Sequence, residues 1–220
     1  YYMFVIDASE KMNELFDGKT KWQAALDAVT AILEGSKPGA HYGLIVIGGE
    51  PTSEGVEPCG QPSVAKMTFS NRQVVHDQIS HLTPAGGGSL YQAFVLAMNQ
   101  FEGLSENTVR NIIYITNSSD TCDRDEWKDL ERLFQIPGGL DANIYSEILV
   151  LDKNGDLASQ SIPERLNSLA KNVNVAAPQT YSAFQQSYAT AINNVNVYVN
   201  NAISAIATNA PTVAPIIPLS

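Results

Sequence analysis

A carboxylate and a hydroxyl stand two residues apart in Asp7-Ala8-Ser9, directly after the apolar run Tyr2–Ile6. Oxygens at that spacing can hold a hard cation such as Mg²⁺, which takes carboxylate, hydroxyl and water ligands, or can cap the next helix. Two further segments carry the same chemistry. Gly86-Gly87-Gly88-Ser89 opens a helical run that begins near Leu90, and Thr116-Asn117-Ser118-Ser119-Asp120 closes the apolar run Asn111–Thr116. Catalytic sets are harder to find. His41, His76 and His81 are scattered over a loop and one helix, and neither a Gly-x-Ser-x-Gly elbow nor a His-Glu-x-x-His pair occurs. The triple glycine lacks the Lys-Ser/Thr of a phosphate-binding loop and follows a helix, not a strand. Asp152-Lys153-Asn154-Gly155-Asp156 begins like a calcium loop, but its glycine comes too early and Pro163 stands where the closing Glu should be; it reads as an Asn-Gly turn. A hydrolase using Asp7 with a metal would have no identifiable base, so the chain reads as a non-enzyme.

The segments that must position these residues alternate between two hydrophobic periods. Tyr2–Ile6, Tyr42–Ile47, Asn111–Thr116 and Ile144–Leu151 are continuous apolar runs of the length of buried strands, and Val173–Ala176 is a shorter one. Val64–Phe69 alternates more and suits an edge strand. Lys21–Leu33, Arg72–Leu82, Leu90–Phe101, the stretch around Trp127, Leu130, Leu133 and Phe134, and Ile162–Leu169 show three- and four-residue apolar spacing. From Tyr181 onward Phe184, Tyr188, Ile192, Val195 and Val199 predict a long terminal helix. Strands alternating with helices imply an α/β fold: a doubly wound, mostly parallel central sheet with helices on both faces and one antiparallel edge strand. In such sheets ligands bind beyond the carboxyl ends of the strands, where Asp7, Ser9, Ser89 and Asn117 fall. Residues 1–203 form the expected domain, and the proline-bearing stretch 204–220 a tail or linker.

At these residues the chain resembles the von Willebrand factor type A family, over roughly residues 2 to 200. That family has a Rossmann-like fold, and its metal-ion-dependent adhesion site joins Asp-x-Ser-x-Ser on a first loop, Thr on a second and Asp on a third. The resemblance rests on Asp7, Ser9 and the following Met12, on the Gly-Gly loop before a helix, and on the turn after Thr116. It implies metal-site positions at Asp7, Ser9, Ser89 and Asn117. This chain departs from the pattern at three of the family's ligands: Lys11 replaces the second serine, Ser89 replaces Thr, and Asn117 replaces Asp. The formal charge at the site moves from about −2 toward 0. At an effective dielectric near 20 and about 5 Å, each unit removed costs a divalent ion roughly 6–7 kcal/mol of attraction, an upper bound. Mg²⁺ is then either lost, with the Lys11 ammonium or water beside Asp7, or held weakly while Lys11 points outward. Ser9 as a helix cap and Asn117 as a turn residue need no ligand at all.

The resemblance further implies a protein-interaction or adhesion module, with a chelatase-like or enzyme-associated subunit as the alternative. Some bacterial members carry a cysteine in each of the loops that here hold Cys59 and Cys122, which implies a disulfide and an extracytoplasmic location, secreted or at the cell surface. A bridge closing about 60 residues would stabilise by roughly 4 kcal/mol. The chain is acidic, with 23 Asp and Glu against 13 Lys and Arg and a net charge of −10, which disfavours nucleic acid as a partner. No apolar run is long enough to enter a membrane; tethering would fall to the tail. Glu10, Glu54, Glu57, Asp120 and Asp123, with Glu50, Asp125 and Glu126, should crown the partner-binding face and make it acidic.

Overall fold

In the computed structural model, residues 1–49, 69–117, 125–136 and 143–209 are described. Five strands, β1 (Tyr2–Ala8), β4 (Tyr42–Gly48), β5 (Arg110–Asn117), β6 (Ile144–Leu151) and β7 (Val173–Ala176), form one parallel sheet in the order β4-β1-β5-β6-β7. The chain starts in the middle of the sheet, runs to one edge and returns past β1 to build the other half. The point of reversal lies between β1 and β5, where Tyr2 pairs with Asn111 and Ile6 with Ile115. Four of these strands are buried along almost their whole length, as their unbroken apolar runs require of strands covered on both faces.

Alternate residues feed two cores. Phe4, Ile6, Leu44, Val46, Ile113 and Ile115 face the helices α1 (Lys21–Gly35), α2 (Arg72–Ser80) and α7 (Tyr181–Asn209). Val5, Ile45, Ile47, Ile112, Tyr114 and Ile148 face α3 (Leu90–Asn99), α4 (Glu126–Gln135) and α6 (Ile162–Leu169). Helix α1 starts with a capping box: Thr20 Oγ1 accepts from Gln23 N at 3.1 Å, and Gln23 Oε1 accepts from Thr20 N at 3.2 Å.

Several boundaries differ from the sequence expectation. β1 continues through Asp7 and Ala8 because they pair with Ile47 and Gly48 of β4, and β5 continues through Asn117, opposite Leu151. Asp7 and Asn117 therefore stand in the sheet and not in loops. A small antiparallel hairpin, β2 (Leu15–Phe16) and β3 (Lys19–Thr20), was too short to leave a pattern; Asp17 and Gly18, both at positive φ, form its turn. The turn expected at Asp152–Gly155 is also a cap: buried Asp152 accepts from the backbone amides of Asp156, Leu157 and Ala158 at the start of the one-turn helix α5 (Asp156–Ser159). Of the expected edge strand Val64–Phe69, all but Phe69 lies outside the described residues; the adjoining Ser70 bridges Tyr42 in antiparallel sense. The terminal helix continues past residue 203 to Asn209. Among the described residues no helix is long and apolar enough to cross a membrane.

Several carboxylates are buried among neutral donors, and one of them, Glu147, carries a pH dependence. Glu147 of β6 is buried and accepts from Tyr145 Oη at 2.7 Å, Asn174 Nδ2 at 2.7 Å and Asn194 Nδ2 of α7 at 3.0 Å. Burial raises its pKa above the ordinary carboxylate value, against the lowering effect of those donors. The folded state thus binds this proton more readily than the unfolded chain, so its contribution to stability grows as pH falls from neutral toward about 4.5 and is lost as pH rises. Glu147→Gln should therefore melt above the parent at pH 8, with the gap closing by pH 5, in parallel thermal melts.

Candidate functional site

The carboxyl ends of β1 and β5 bring Asp7, Ser9, Thr116 and Asn117 together, each no more than 1% exposed. Asp7 Oδ1 accepts from Ser9 N at 2.8 Å. Its Oδ2 accepts from Thr116 Oγ1 at 3.0 Å, Asn117 N at 3.2 Å and Asn117 Nδ2 at 2.5 Å. The same Asn117 amide nitrogen reaches Ser9 Oγ at 3.4 Å. The amide orientation is fixed by chemistry, since a rotated side chain would set its carbonyl oxygen against the carboxylate. A buried carboxylate requires such donors, because an unpaired charge inside a protein is costly. Here the neutral Asn117 supplies two of them.

Lys11 does not stand beside Asp7. Its side chain is 52% exposed and its ammonium lies 3.6 Å from Glu14 Oε1. The 3₁₀ turn Glu10–Asn13 buries Met12, which turns Lys11 away from the sheet toward water. Ser89 acts as a helix cap: its Oγ accepts from Gln92 N at 3.1 Å at the start of α3. The loops that carry these residues are laced together by backbone bonds. Gly49 N donates to Ala8 O and Ala85 O, Ala85 N to Ala8 O, and Glu10 N to Gly86 O, all at 2.9 Å.

Three residues of the site left little trace in the sequence. Glu126, expected on an acidic crown, is 1% exposed, and its Oε2 accepts from Leu90 N at 2.6 Å, securing the first turn of α3. Tyr114 Oη donates to Leu90 O at 2.9 Å. Burial, followed by the fields of Asp7 and Glu126, holds the Tyr114 phenol well above its ordinary pKa, so it remains a donor. Thr116 is the third; its hydroxyl was read only as part of a polar turn. The cap of α4 is Asp125, whose Oδ1 accepts from Lys128 N at 3.2 Å. Glu10 is exposed at the rim. Cys59, Cys122, Glu50, Glu54, Glu57, Asp120 and Asp123 lie outside the described residues.

The donor set decides how well a divalent ion fits. Both Asp7 oxygens already accept hydrogen bonds, and an amide nitrogen, which cannot ligate a cation, points at Asp7 and Ser9. Ser89 is engaged at its helix, Glu126 is turned to Leu90 N, and Lys11 offers no oxygen. Among the described residues, no group of three or more His, Cys, Asp or Glu is arranged to hold a metal. The described residues do not fit Mg²⁺ well.

The chain spans 88% of itself and 42% of a von Willebrand factor type A protein from Catenulispora acidiphila, at a TM-score of 0.61 and 15% identity. An aerotolerance-related membrane protein from Bacteroides fragilis matches at a TM-score of 0.60 and 15% identity, covering 89% of this chain and 98% of its own. The PilB minor pilin from Streptococcus sanguinis matches at 0.59 and 10% identity, covering 96% of this chain and 63% of its own. At such identities these likenesses speak for the fold. No curated protein sequence matches the chain. The von Willebrand factor type A domain family matches residues 2–119, more than half of the sequence and the part holding β1, β4, β5, Asp7, Ser9, Ser89 and Asn117. The chain belongs to the von Willebrand factor type A domain family.

Proposed function

We propose that this domain is a protein-binding, adhesion-type module in which an amide-to-carboxylate contact takes the place of the family's metal ion. The observation that carries the reading is the 2.5 Å bond from Asn117 Nδ2 to Asp7 Oδ2. It neutralises no charge, but it satisfies the buried carboxylate and joins β1 to β5 without an ion, so Mg²⁺ binds weakly or not at all. The partner is a protein, engaged at the rim that carries Glu10 and the acidic segments around Glu54, Glu57, Asp120 and Asp123. An acidic rim favours a basic partner surface over an acidic ligand group. The domain, extended past residue 203 to include all of α7, is extracytoplasmic and part of a longer chain, with the residues after α7 as its tether; the pilin and membrane-protein likenesses support that placement, and a Cys59–Cys122 bridge would accord with it.

The test is capture of cell-surface and matrix proteins on the immobilised domain, in EDTA and in Mg²⁺. Capture should be equal in both buffers and weakened by Glu10→Arg. Capture that vanishes in EDTA, or that Glu10→Arg leaves unchanged, contradicts the reading. For the bridge, mass analysis after alkylation without reductant should show no label on Cys59 or Cys122; two labels would remove it.

A further inference from the structure

Helix α7 carries no charge. All 23 acidic and 13 basic side chains, and the three histidines, lie before residue 181, and none occurs from Tyr181 to Ser220. Helix α4, 10 residues long, holds Glu126, Lys128, Asp129, Glu131 and Arg132, whereas the 29 residues of α7 hold no counterpart. Its inner side packs into the core through Phe184, Ala191, Val195 and Val199. The asparagines turned toward the domain are engaged: Asn194 Nδ2 donates to Glu147 Oε1 at 3.0 Å and Asn196 Nδ2 to Gly35 O at 3.1 Å. The outer side differs. Gln186, Thr190, Asn193, Val197, Asn200 and Ser204 are all exposed and follow one another at steps of four and three residues, so they share one seam over about five turns. Val197, 49% exposed, stands in its middle part. The carboxamides of Gln186, Asn193 and Asn200 make no hydrogen bond to the protein among the described residues.

The solvent face of a surface helix ordinarily carries charge, and depletion of charge is the compositional mark of the centre of a protein interface. Lipid does not suit this face, which offers amides and hydroxyls in place of the cations and large apolar groups of a membrane-lying helix. A carboxamide presents donor and acceptor together, so a seam of amides is complementary to a second seam of the same kind. Charge points to the same occupant. Each copy of the chain has a net charge of −10, so two copies repel one another and approach most readily along the uncharged helix. We propose that α7 is a self-association face on which two copies pair their α7 helices antiparallel about a two-fold axis at Val197. The two Val197 side chains then meet on the axis, Asn193 of each copy stands opposite Asn200 of the other, and Thr190 stands opposite Ser204. A helix pair about 30 Å long buries roughly 1,000 Å² in total, at the low end of specific interfaces, which suits a dimer with a dissociation constant on the order of 100 µM. The face is separate from the Asp7–Asn117 end and does not depend on the reading given there.

The experiment is sedimentation equilibrium of the 220-residue chain from about 10 µM to about 1 mM. The expected result is a reversible monomer–dimer equilibrium that tightens as NaCl is raised from about 50 to about 500 mM, because salt screens the repulsion between two acidic copies, whereas it would weaken a contact made by ion pairs. Val197→Lys sets two ammonium groups against each other on the axis and should weaken the dimer at least tenfold, while its melting temperature stays at the parent's, since the position is half-exposed. A second pair of variants reads the geometry. On oxidation Val197→Cys should link to itself across the axis, as peptide mapping would show, and Ser182→Cys should not, because antiparallel pairing sets its two copies about 45 Å apart along the helices. A chain that stays monomeric at about 1 mM, a dimer that salt loosens or that Val197→Lys leaves intact, or self-linking of Ser182→Cys as readily as Val197→Cys would overturn the proposal.

Discussion

Asn117→Asp should unfold well below the parent in EDTA and regain stability in Mg²⁺. The substitution sets a second carboxylate against Asp7, where Asn117 Nδ2 now stands 2.5 Å from Oδ2, and it removes one of the donors that satisfy a group only 1% exposed. Two ionised carboxylates about 3 Å apart repel by roughly 5 kcal/mol at an effective dielectric of 20, an upper bound that the pair lowers by sharing a proton. A loss of about 3 kcal/mol at pH 7, or on the order of 10 °C in melting temperature, follows for a domain of this size. Because the pair binds a proton more tightly when folded, the penalty should shrink as pH falls toward 5 and be complete above neutrality. Added Mg²⁺ neutralises both groups and should recover most of the loss by mass action. Because the turn that buries Met12 points position 11 away from Asp7, adding Lys11→Ser should leave the recovery unchanged. Lys11 contributes nothing to the parent's charge balance at Asp7, since it pairs with Glu14 at the surface. An Asn117→Asp variant indifferent to Mg²⁺ would mean that two carboxylates at the ends of β1 and β5 do not suffice to seat an ion.

Gly48→Ala should be at least as damaging, for a different reason. Gly48 ends β4 at φ +74°, and a Cβ there would lie 2.7 Å from Ala85 O and 2.9 Å from Ala8 O. The obstacles are backbone atoms, so no side-chain rotation relieves them. The left-handed conformation alone costs a non-glycine residue about 1–2 kcal/mol, and the overlap must displace the loop at Ala85 that Gly49 N and Ala85 N hold against Ala8 O. A total loss of about 3 kcal/mol or more is expected in denaturant titration. An alanine variant as stable as the parent would show that the loops over Asp7 are not locked in the described arrangement.

The fold was legible where burial imposes a pattern. β1, β4, β5 and β6 are covered on both faces and must be continuously apolar, and α1 and α7 present one apolar stripe each, so their existence and type follow from spacing. The hairpin at Leu15–Thr20 was not legible, because two-residue strands have no period. At the site, Asp7 and Asn117 are the residues whose types stand out at the ends of the two apolar runs, and the structure sets them in contact from within β1 and β5. Their roles were less readable. Whether Lys11 faces Asp7 depends on the sense of the 3₁₀ turn that buries Met12, a tertiary choice that neither residue announces. Glu126 reads as one more surface acid in a run of acids, and only packing against Leu90 N distinguishes it from Asp125 beside it. Ser89 carried a hydroxyl suited to a ligand and to a cap, and the geometry gives it the cap.

The most direct measurement is NMR of the Asn117 side-chain amide in the parent protein during titration with Mn²⁺, which shares the oxygen-ligand preference of Mg²⁺ and broadens protons close to it. If the amide holds the Asp7 carboxylate in the ion's place, the two Asn117 Nδ2 protons should be slow to exchange and stay sharp at millimolar Mn²⁺, as should the Ser9 amide. Saturable broadening of both residues at low Mn²⁺, reversed by excess Mg²⁺, would show an ion seated at Asp7 and contradict the account.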